Sequence, residues 1–267
     1  MSKIADQDYL LNQQYRDASN LNARIQLHVR FSQNTYGWHP WVFDQLKASP
    51  QARVLELGCG PGRLWSENAA RIPPGWEITL SDFSPGMFAE AQRNLASAGR
   101  SFAFERVDAQ SIPFADASFD MVIANHMLYH VPDRPQALSE IRRVLRPGGR
   151  FYAATIGETH LREIGELVRR FDLQYIFGFD NCATESFTLE NGAEQLARFF
   201  AMVDLQRYKD SLIVTEAEPL IAYILSGRVG AALDEDRVAK FAAFVRREFA
   251  DRGALSITKD TGLFEAT

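Results

Sequence analysis

Three glycines and two aspartates are spaced so that together they could hold a nucleoside. The glycines alternate with other residues directly after an apolar run at 54–57, and they are Gly58, Gly60 and Gly62. Glycine permits a tight turn and lets a ligand touch the backbone, because no Cβ intervenes. Asp82 and Asp108 follow the next two apolar runs. A carboxylate at a strand end can accept hydrogen bonds from ribose hydroxyls or from an adenine amino group. The pattern therefore predicts a ligand that contains adenosine.

The spacing of the glycines distinguishes two classes of adenosine ligand. The dinucleotide-binding fingerprint is G-x-G-x-x-G, with its third glycine placed to suit a pyrophosphate at a helix N-terminus. Here the third glycine comes one place earlier, and Arg63 stands where the fingerprint needs glycine. This spacing and Asp108 argue against a nicotinamide-dependent oxidoreductase, which remains the first alternative function.

The elements that position these residues alternate between short apolar runs and helical patterns from about 53 to 156. Strands are predicted at 54–57, 76–80, 102–107, 121–124 and 150–155. One helical stretch follows the glycines and stops at Pro73. A second begins at Ser84, which caps it before Pro85, and runs to about 98. A third begins at Asp133, with Gln136 in the capping-box position. The alternation predicts an α/β fold with a doubly wound parallel sheet.

The flanking segments are mostly helical and rich in aromatic residues. Residues 1–45 are predicted to form a helical N-terminal cover over a main domain at 46–267. An insertion at about 158–200 is expected to form part of a substrate pocket. Strand-like runs return near 203–214 and 254–265, with helices at about 217–226 and 234–250. So many rings over a sheet predict a closed and largely apolar pocket.

Composition and charge argue against several classes of partner. The formal net charge is −5, and no cluster of Lys and Arg suits a nucleic-acid backbone. No apolar run approaches the roughly 20 residues that span a bilayer, and the N-terminus lacks the apolar run of a signal peptide. Cys59 and Cys182 form no CxxC pair. We therefore expect a cytoplasmic protein, monomeric or homodimeric, that acts on a small molecule and binds neither nucleic acid nor membrane.

The ordered motifs resemble those of the class I S-adenosylmethionine (SAM)-dependent methyltransferases. They lie at 54–62, 82–87, 108–109 and 145–149. The chain is similar to the small-molecule branch that includes the ubiquinone and menaquinone methyltransferases, over about residues 50–156. The resemblance implies a Rossmann-like, seven-stranded sheet whose last strand is antiparallel, with the runs at 203–214 and 254–265 as strands six and seven. It also implies transfer of a methyl group from SAM to an O, N, S or C atom of a small aromatic or hydrophobic molecule.

The resemblance further implies which residues bind SAM. Glu56 would orient the glycine loop, and Asp82 would hold the ribose. Asp108 with Ala109 would read the adenine, and Asn125 would lie beneath the methionine end of the cofactor. The full set of residues expected at the cofactor is Glu56, Gly58, Cys59, Gly60, Gly62, Asp82, Phe83, Met87, Asp108, Ala109 and Asn125.

The segment that leaves the fourth predicted strand carries candidates for a general base. Methyl transfer from a sulfonium depends mainly on alignment, and it needs a base only when the acceptor must lose a proton. His126 and His130 are the candidate bases, with Tyr129 as a positioning hydroxyl. A purely structural role is the alternative for either histidine. No metal site is predicted, because an i, i+4 histidine pair needs a helix and this segment runs into Pro132.

Two other functions compete with small-molecule methyl transfer. A catalytically silent SAM-binding protein would keep the same motifs. An RNA or protein methyltransferase is disfavoured by the acidic charge and, for enzymes acting on base nitrogens, by the lack of an Asn-Pro-Pro-Tyr type of loop after strand four.

Overall fold

The computed structural model describes residues 6–10, 12, 19–172 and 187–267. Its strands are Arg53–Leu57 (β1), Glu77–Ser81 (β2), Ala103–Glu105 (β3), Phe119–Asn125 (β4), Leu145–Ile156 (β5), Val203–Val214 (β6) and Leu255–Ala266 (β7). Its α-helices are Gln7–Tyr9 (α1), Ser19–Phe31 (α2), Trp38–Gln45 (α3), Arg63–Ser66 (α4), Pro85–Leu95 (α5), Arg134–Val144 (α6), Arg162–Phe171 (α7), Gly192–Leu196 (α8), Ala217–Leu225 (α9), Arg228–Ala232 (α10) and Glu235–Arg252 (α11).

The seven strands form one sheet in the order β3-β2-β1-β4-β5-β7-β6. The first five strands pair in parallel, and β7 runs antiparallel to both β5 and β6. The predicted Rossmann-like sheet with an antiparallel last strand is therefore confirmed. Chain order reverses between β1 and β4, and open α/β sheets bind ligands at the carboxyl ends of the strands beside such a switch point.

The central strands are buried on both faces, which explains their nearly continuous apolar sequence. On one face, Leu55 and Val122 pack in a core that includes residues of α6 and α8. On the other face, Val54 and Met121 pack in a second core with residues of α3, α4 and α5. A rigid sheet therefore holds the loops that follow β1 and β4.

A third core joins the two ends of the chain. Leu27 and Phe31 of α2 pack with apolar residues of α7, α9, α11 and the β6–β7 pair. The N-terminal helix α2 is thereby fixed over the carboxyl-terminal part of the sheet. No helix among the described residues combines the length and apolar character needed to cross a bilayer.

The helix after the glycine loop is shorter than predicted. It spans only Arg63–Ser66 and is followed by a 3-10 turn at Ala69–Arg71, instead of running on to Pro73. The amide side chain of the buried Asn68 donates to the carbonyl oxygen of Leu64, at 2.8 Å. This bond takes the place of the backbone bond that would extend the helix, because Asn side chains compete with the main chain.

Both predicted helix caps, at Ser84 and Asp133, are present, but the reciprocal bond of the capping box at Asp133 comes from a different residue than predicted. Ser84 accepts from the backbone N–H of Met87, and Asp133 accepts from that of Gln136. The capping box at Asp133 is not closed by Gln136, because the N–H of Asp133 donates to Oε1 of Gln110, at 3.0 Å. Gln136 donates instead to the Gln110 carbonyl oxygen, so the loop after β3 is tied to α6.

Part of the predicted insertion is described. Helices α7 and α8 lie within 158–200. Residues 173–186, which include Tyr175, Phe177, Phe179 and Cys182, lie outside the described residues.

Candidate active site

A cavity of about 1100 Å³ lies at the carboxyl ends of the parallel strands. Its wall includes residues from the loops after β1, β2, β3, β4 and β5, among them Gly58, Asp82, Asp108, Asn125 and His160. Ligand pockets are typically about 300–1,000 Å³, so this cavity has room for two small ligands side by side.

The glycine loop bends over the end of β2. Gly58 and Gly60 have φ of +67° and +54°, a left-handed conformation that favours glycine. A Cβ on Gly58 would lie 2.8 Å from the Cβ of Met127. The N–H of Gly60 donates to Oδ2 of Asp82, at 2.9 Å. The loop therefore lies close to the carboxylate that was predicted to hold a ribose.

Two other residues of the loop have separate roles. Cys59 is on the cavity wall, and burial raises the pKa of its thiol well above the ordinary value. Gly62, predicted to contact the cofactor, is not on the cavity wall. A Cβ on Gly62 would lie 2.9 Å from Cδ1 of Leu95, so this glycine allows α5 to pack closely against the loop.

Asp82 is buried and receives a backbone hydrogen bond on each oxygen. Oδ2 accepts from Gly60, and Oδ1 accepts from the N–H of Ser84, at 2.8 Å. Burial raises the pKa of Asp82 to about 6, although these two bonds oppose the shift. Each carboxylate oxygen has a second lone pair, so Asp82 can also accept from the two hydroxyls of a ribose.

The loop after β3 brings the second predicted aspartate to the same cavity. Oδ1 of Asp108 accepts from the backbone N–H of Gln110, at 2.9 Å, and from its side-chain amide, at 3.1 Å. Ala109 is buried beside it on the wall. The side chain of Gln110 therefore holds the Asp108 carboxylate in place at the edge where an adenine is expected.

Phe83 and Met87 complete the wall beside Asp82. The guanidinium of Arg106 lies 5.4 Å from the centre of the Phe83 ring, and its Nε donates to the Phe83 carbonyl oxygen, at 3.1 Å. Met87 is buried in the first turn of α5. The two side chains give this part of the cavity apolar surface against which a base could pack.

Glu56 is buried behind the glycine loop and is bonded to an indole. Nε1 of Trp65 donates to its Oε2, at 2.6 Å. Burial and the nearby Asp82 raise the pKa of Glu56 to about 8, against the opposing effect of the Trp65 bond. Glu56 is therefore mostly protonated at pH 7, and the acid supports α4 behind the loop.

Replacing Glu56 with glutamine is expected to remove a pH dependence of stability. A carboxyl with a raised pKa in the folded state stabilises the fold at low pH, and this contribution is lost as pH rises from about 4.5 towards 8. As pH rises from 5 to 8, we expect the unfolding free energy of the natural protein to fall by about 1–3 kcal/mol more than that of the variant. Denaturant titrations at pH 5 and pH 8 measure the unfolding free energy of both proteins, and Glu77→Gln, at an exposed position, is the control. An equal change with pH in the natural protein and in Glu56→Gln would contradict the prediction.

The segment after β4 places the candidate bases on the wall. His126 has φ of +59°, which is uncommon for a residue with a side chain. Its ring centre lies 5.0 Å from that of Trp38, and its Nε2 lies 3.5 Å from Oγ1 of Thr261. Burial, with nearby positive groups, lowers the pKa of His126 to about 3, so the ring is neutral at pH 7. Tyr129 and His130 are also on the wall, with ring centres 4.5 Å apart.

Asn125 links the end of β4 to the N-terminal part of the chain. Its Oδ1 accepts from Nε1 of Trp38 in α3, at 3.2 Å. The Trp38 ring also lies against Tyr208 of β6, with centres 5.4 Å apart. Asn125 therefore holds an aromatic side chain over the middle of the cavity.

Among the wall residues that were not identified from the sequence, three carry ionisable groups at the end away from the glycine loop. They are His28 of α2, His160 of the loop after β5, and Lys259 of β7. The rule that pointed to Asp82 and Asp108, a polar residue just past a strand end, applies equally to His160. His28 and Lys259 have no such signal, since they reach the cavity only through the packing of α2 and β7.

Asp210 of β6 lies behind Lys259 with its side chain fully buried. It accepts from Nζ of Lys259, from Oγ of Ser32, and from the N–H groups of Gln33 (3.1 Å) and Asn34 (2.9 Å). Burial alone would raise the pKa of Asp210, but these bonds and the lysine lower it below the ordinary value. This carboxylate ties the connection between α2 and α3 to the β6–β7 pair.

The central part of the chain matches known sequences. Residues 55–153 match a family described as a methyltransferase domain. The ubiquinone/menaquinone biosynthesis C-methyltransferase UbiE of Geotalea daltonii is 37% identical over 42% of this chain and 49% of its own length. The malonyl-[acyl-carrier protein] O-methyltransferase of Enterobacter lignolyticus is 36% identical over 49% of each chain. The chain thus spans about half the length of the curated relatives that it matches.

Solved structures share the fold at low sequence identity. The YcgJ protein of Bacillus subtilis superposes with a TM-score of 0.58 and 18% identity, over 85% of this chain and 96% of its own. A Haemonchus contortus phosphoethanolamine N-methyltransferase in complex with SAM gives 0.58 and 17%, over 100% of this chain and 60% of its own. The [4+2]-cyclase SpnF gives 0.53 and 22%, over 86% and 80%.

Proposed function

We propose that this chain transfers a methyl group from SAM to a small molecule, since its residues 55–153 match a methyltransferase domain. The observation that carries the proposal is that one cavity brings together the glycine loop, Asp82 and Asp108, each after a different parallel strand. The acceptor is proposed to be a small aromatic or hydrophobic molecule, methylated at an O, N, S or C atom.

The residues at this end of the cavity fit SAM. Gly58 and Gly60 present backbone where a side chain would intervene, and Asp82 has lone pairs for two hydroxyls. Asp108 and Ala109 lie where the adenine would be read, with Phe83 beside them. When bound, SAM supplies an electrophilic methyl group on a sulfonium sulfur. The [4+2]-cyclase SpnF shares the fold, so the proposal rests on the residues of the cavity and not on the fold.

The chain's own residues would align the acceptor and exclude water. Trp38, held by Asn125 and packed against Tyr208, gives the cavity an aromatic wall. His126 lies at this wall as a neutral imidazole whose lowered pKa makes it a weak base, so its nitrogen is better suited to hydrogen-bond an acceptor than to remove a proton from it. Holding the acceptor in a reactive orientation away from water is the main contribution expected of a protein in such a transfer.

We also propose that residues 1–45 act as a cover for the main domain at 46–267. Leu21 of α2 is the nearest neighbour of a Cβ built on Gly60, at 3.8 Å, and Trp38 of α3 reaches Asn125. Both helices therefore contact the site from outside the matched domain.

Calorimetric titration with SAM, S-adenosylhomocysteine and NAD in parallel tests the proposed function. We expect micromolar binding of SAM and S-adenosylhomocysteine and none of NAD. A screen of small molecules by mass would then find acceptors that gain one methyl group. Binding of NAD alone would overturn the proposal. Binding of SAM with no turnover of any acceptor would favour the silent SAM-binding alternative.

A further inference from the structure

The carboxylic acids of the cavity are confined to one end. The four carboxylic acids on the described wall all belong to the glycine-loop end, and they are Glu56, Glu67, Asp82 and Asp108. Glu67 is neutralised locally by His39, at 3.0 Å, and by Arg63, at 2.6 Å. The opposite end, under β5 and β7, is lined by His28, His160 and Lys259, and no carboxylate of the described wall lies there. This end therefore offers histidine nitrogens and one lysine with no carboxylate on the described wall beside them, an arrangement in which an anion can accept hydrogen bonds without repulsion from the wall.

The geometry of this end leaves nitrogen atoms for a ligand. The rings of His28 and His160 are stacked with centres 6.3 Å apart. Nδ1 of His28 is buried without a hydrogen-bond partner among the described residues, which is costly for a polar atom. Nδ1 of His160 accepts from the N–H of Asp260, at 3.1 Å, so the ring proton is assigned to Nε2, which can donate. Lys259 is on the wall, with Asp210 behind it.

We propose that the methyl acceptor is an acid, and that its carboxylate or other oxyanion is bound by His28, His160 and Lys259. This inference rests on the proposed function and names the class of substrate. An oxyanion gives the unpartnered nitrogen of His28 a partner once that ring takes up a proton, and it accepts from His160. The aromatic wall around Trp38 then holds the rest of the acceptor between this anchor and the cofactor end.

The proposed anion site at His28 lies about two helical turns along α2 from the glycine loop. Leu21 lies beside Gly60, and His28 is seven residues further along the same helix. At 1.5 Å per residue the separation is about 10 Å. Arg24 lies between them on the wall, held by bonds of its Nε and Nη2 to Ser226 (3.2 and 3.1 Å). Arg24 would be a partner for the carboxylate of the cofactor at this intermediate position.

Anion binding at this end is expected to strengthen as pH falls. Burial, then Lys259 and His126, lower the pKa of His28 to about 3, while Asp210 opposes them, so the ring is neutral before a ligand binds. A bound anion raises that pKa and favours proton uptake. The groups that face the histidine pair are His126, Lys259, Asp210 and Tyr223.

The test uses matched acid and amide probes on protein saturated with S-adenosylhomocysteine. The pairs are benzoate with benzamide, salicylate with salicylamide, and 2-naphthoate with 2-naphthamide. Ligand-observed NMR titration is expected to show each acid binding at least about ten-fold more tightly than its amide, and more tightly at pH 6 than at pH 8. Equal binding of acids and amides, or no saturable binding of any acid, would overturn the inference.

His28→Phe is the informative variant, because it keeps the ring contacts and removes the nitrogens. Its Tm is expected to equal or exceed that of the natural protein, since no hydrogen bond of Nδ1 is lost. The preference for acids is expected to disappear, and the pH dependence to flatten. His160→Asn retains an acceptor for the N–H of Asp260 and is expected to reduce the preference for acids over amides. It provides a second test of the inference if His28→Phe does not fold. His39→Gln, at the glycine-loop end, is the matched control and should keep the preference.

The same variants separate this inference from the proposed function. Unchanged S-adenosylhomocysteine affinity in His28→Phe, with the acid preference lost, supports the inference. Strong loss of S-adenosylhomocysteine affinity in that variant would mean that the histidines bind the cofactor, and the inference fails. Absence of S-adenosylhomocysteine binding by the natural protein would refute the proposed function itself.

Discussion

Replacing Asp82 with alanine is expected to weaken SAM binding by about two to three orders of magnitude. The change removes the acceptor for the ribose hydroxyls and leaves the N–H groups of Gly60 and Ser84 without their partner. Hydrogen bonds to a charged group contribute about 1.5–3 kcal/mol each, and 1.4 kcal/mol is a ten-fold change in affinity. Calorimetric titration of the variant with SAM measures the loss.

Two controls and a pH series accompany this variant. Asp82→Asn keeps one oxygen acceptor and is expected to bind with intermediate affinity. Asp116→Ala, at an exposed carboxylate paired with Arg143, should bind as the natural protein does. Because the pKa of Asp82 is about 6, affinity for SAM should fall as pH drops below that value and the carboxylate is protonated. Near-natural affinity in Asp82→Ala would remove Asp82 from the site.

The largest loss of stability is expected from Asp210→Ala. Its carboxylate accepts hydrogen bonds from Lys259, Ser32, Gln33 and Asn34. The change leaves the nearly buried ammonium of Lys259 without its counter-ion and removes the bonds that hold the connection between α2 and α3. Breaking a buried pair by removing one partner costs about 3–5 kcal/mol. Chemical denaturation of the variant in the absence of ligand measures the change in unfolding free energy.

Asp204→Ala is the matched control, because it removes a carboxylate from the same strand at an exposed position. Surface changes of this kind usually stay within about 0.5 kcal/mol. A loss in Asp210→Ala no larger than that of the control would mean that the Lys259 pair and the Asp210 bonds to 32–34 contribute little. Asp210 also loses its contribution as pH falls, since its pKa is held below the ordinary value and protonation breaks the pair.

The grouping of the glycine loop, Asp82 and Asp108 in one cavity could be predicted from the sequence because its signals are local. The glycine loop, Asp82 and Asp108 each follow directly on a buried strand, and parallel strands bring their carboxyl ends to one edge. The same locality made the cap at Ser84 predictable. These expectations depend on spacing over a few residues and on the topology of the sheet.

The predictions that failed depend on side-chain hydrogen bonds that the spacing of residues does not reveal. The helix after the glycine loop is cut short by the Asn68 side chain, which also donates to the carbonyl oxygen of His39. The expected capping box at Asp133 is satisfied by Gln110 from another loop. His28 and Lys259 line the same cavity because α2 packs over the β6–β7 pair. The two residues are far apart in the sequence, so no local spacing pattern predicts this proximity.

The two ends of the cavity come from different parts of the chain, and this has an evolutionary consequence. The glycine loop, Asp82 and Asp108 belong to residues 55–153, whereas His28, His160 and Lys259 lie outside them. If the two ends serve donor and acceptor as proposed, a lineage can inherit the proposed donor half intact while the proposed acceptor half changes through α2, the loop after β5 and β7. Similarity detected through 55–153 then follows descent of the proposed donor half, and acceptor preference can diverge, or be exchanged by grafting, on its own.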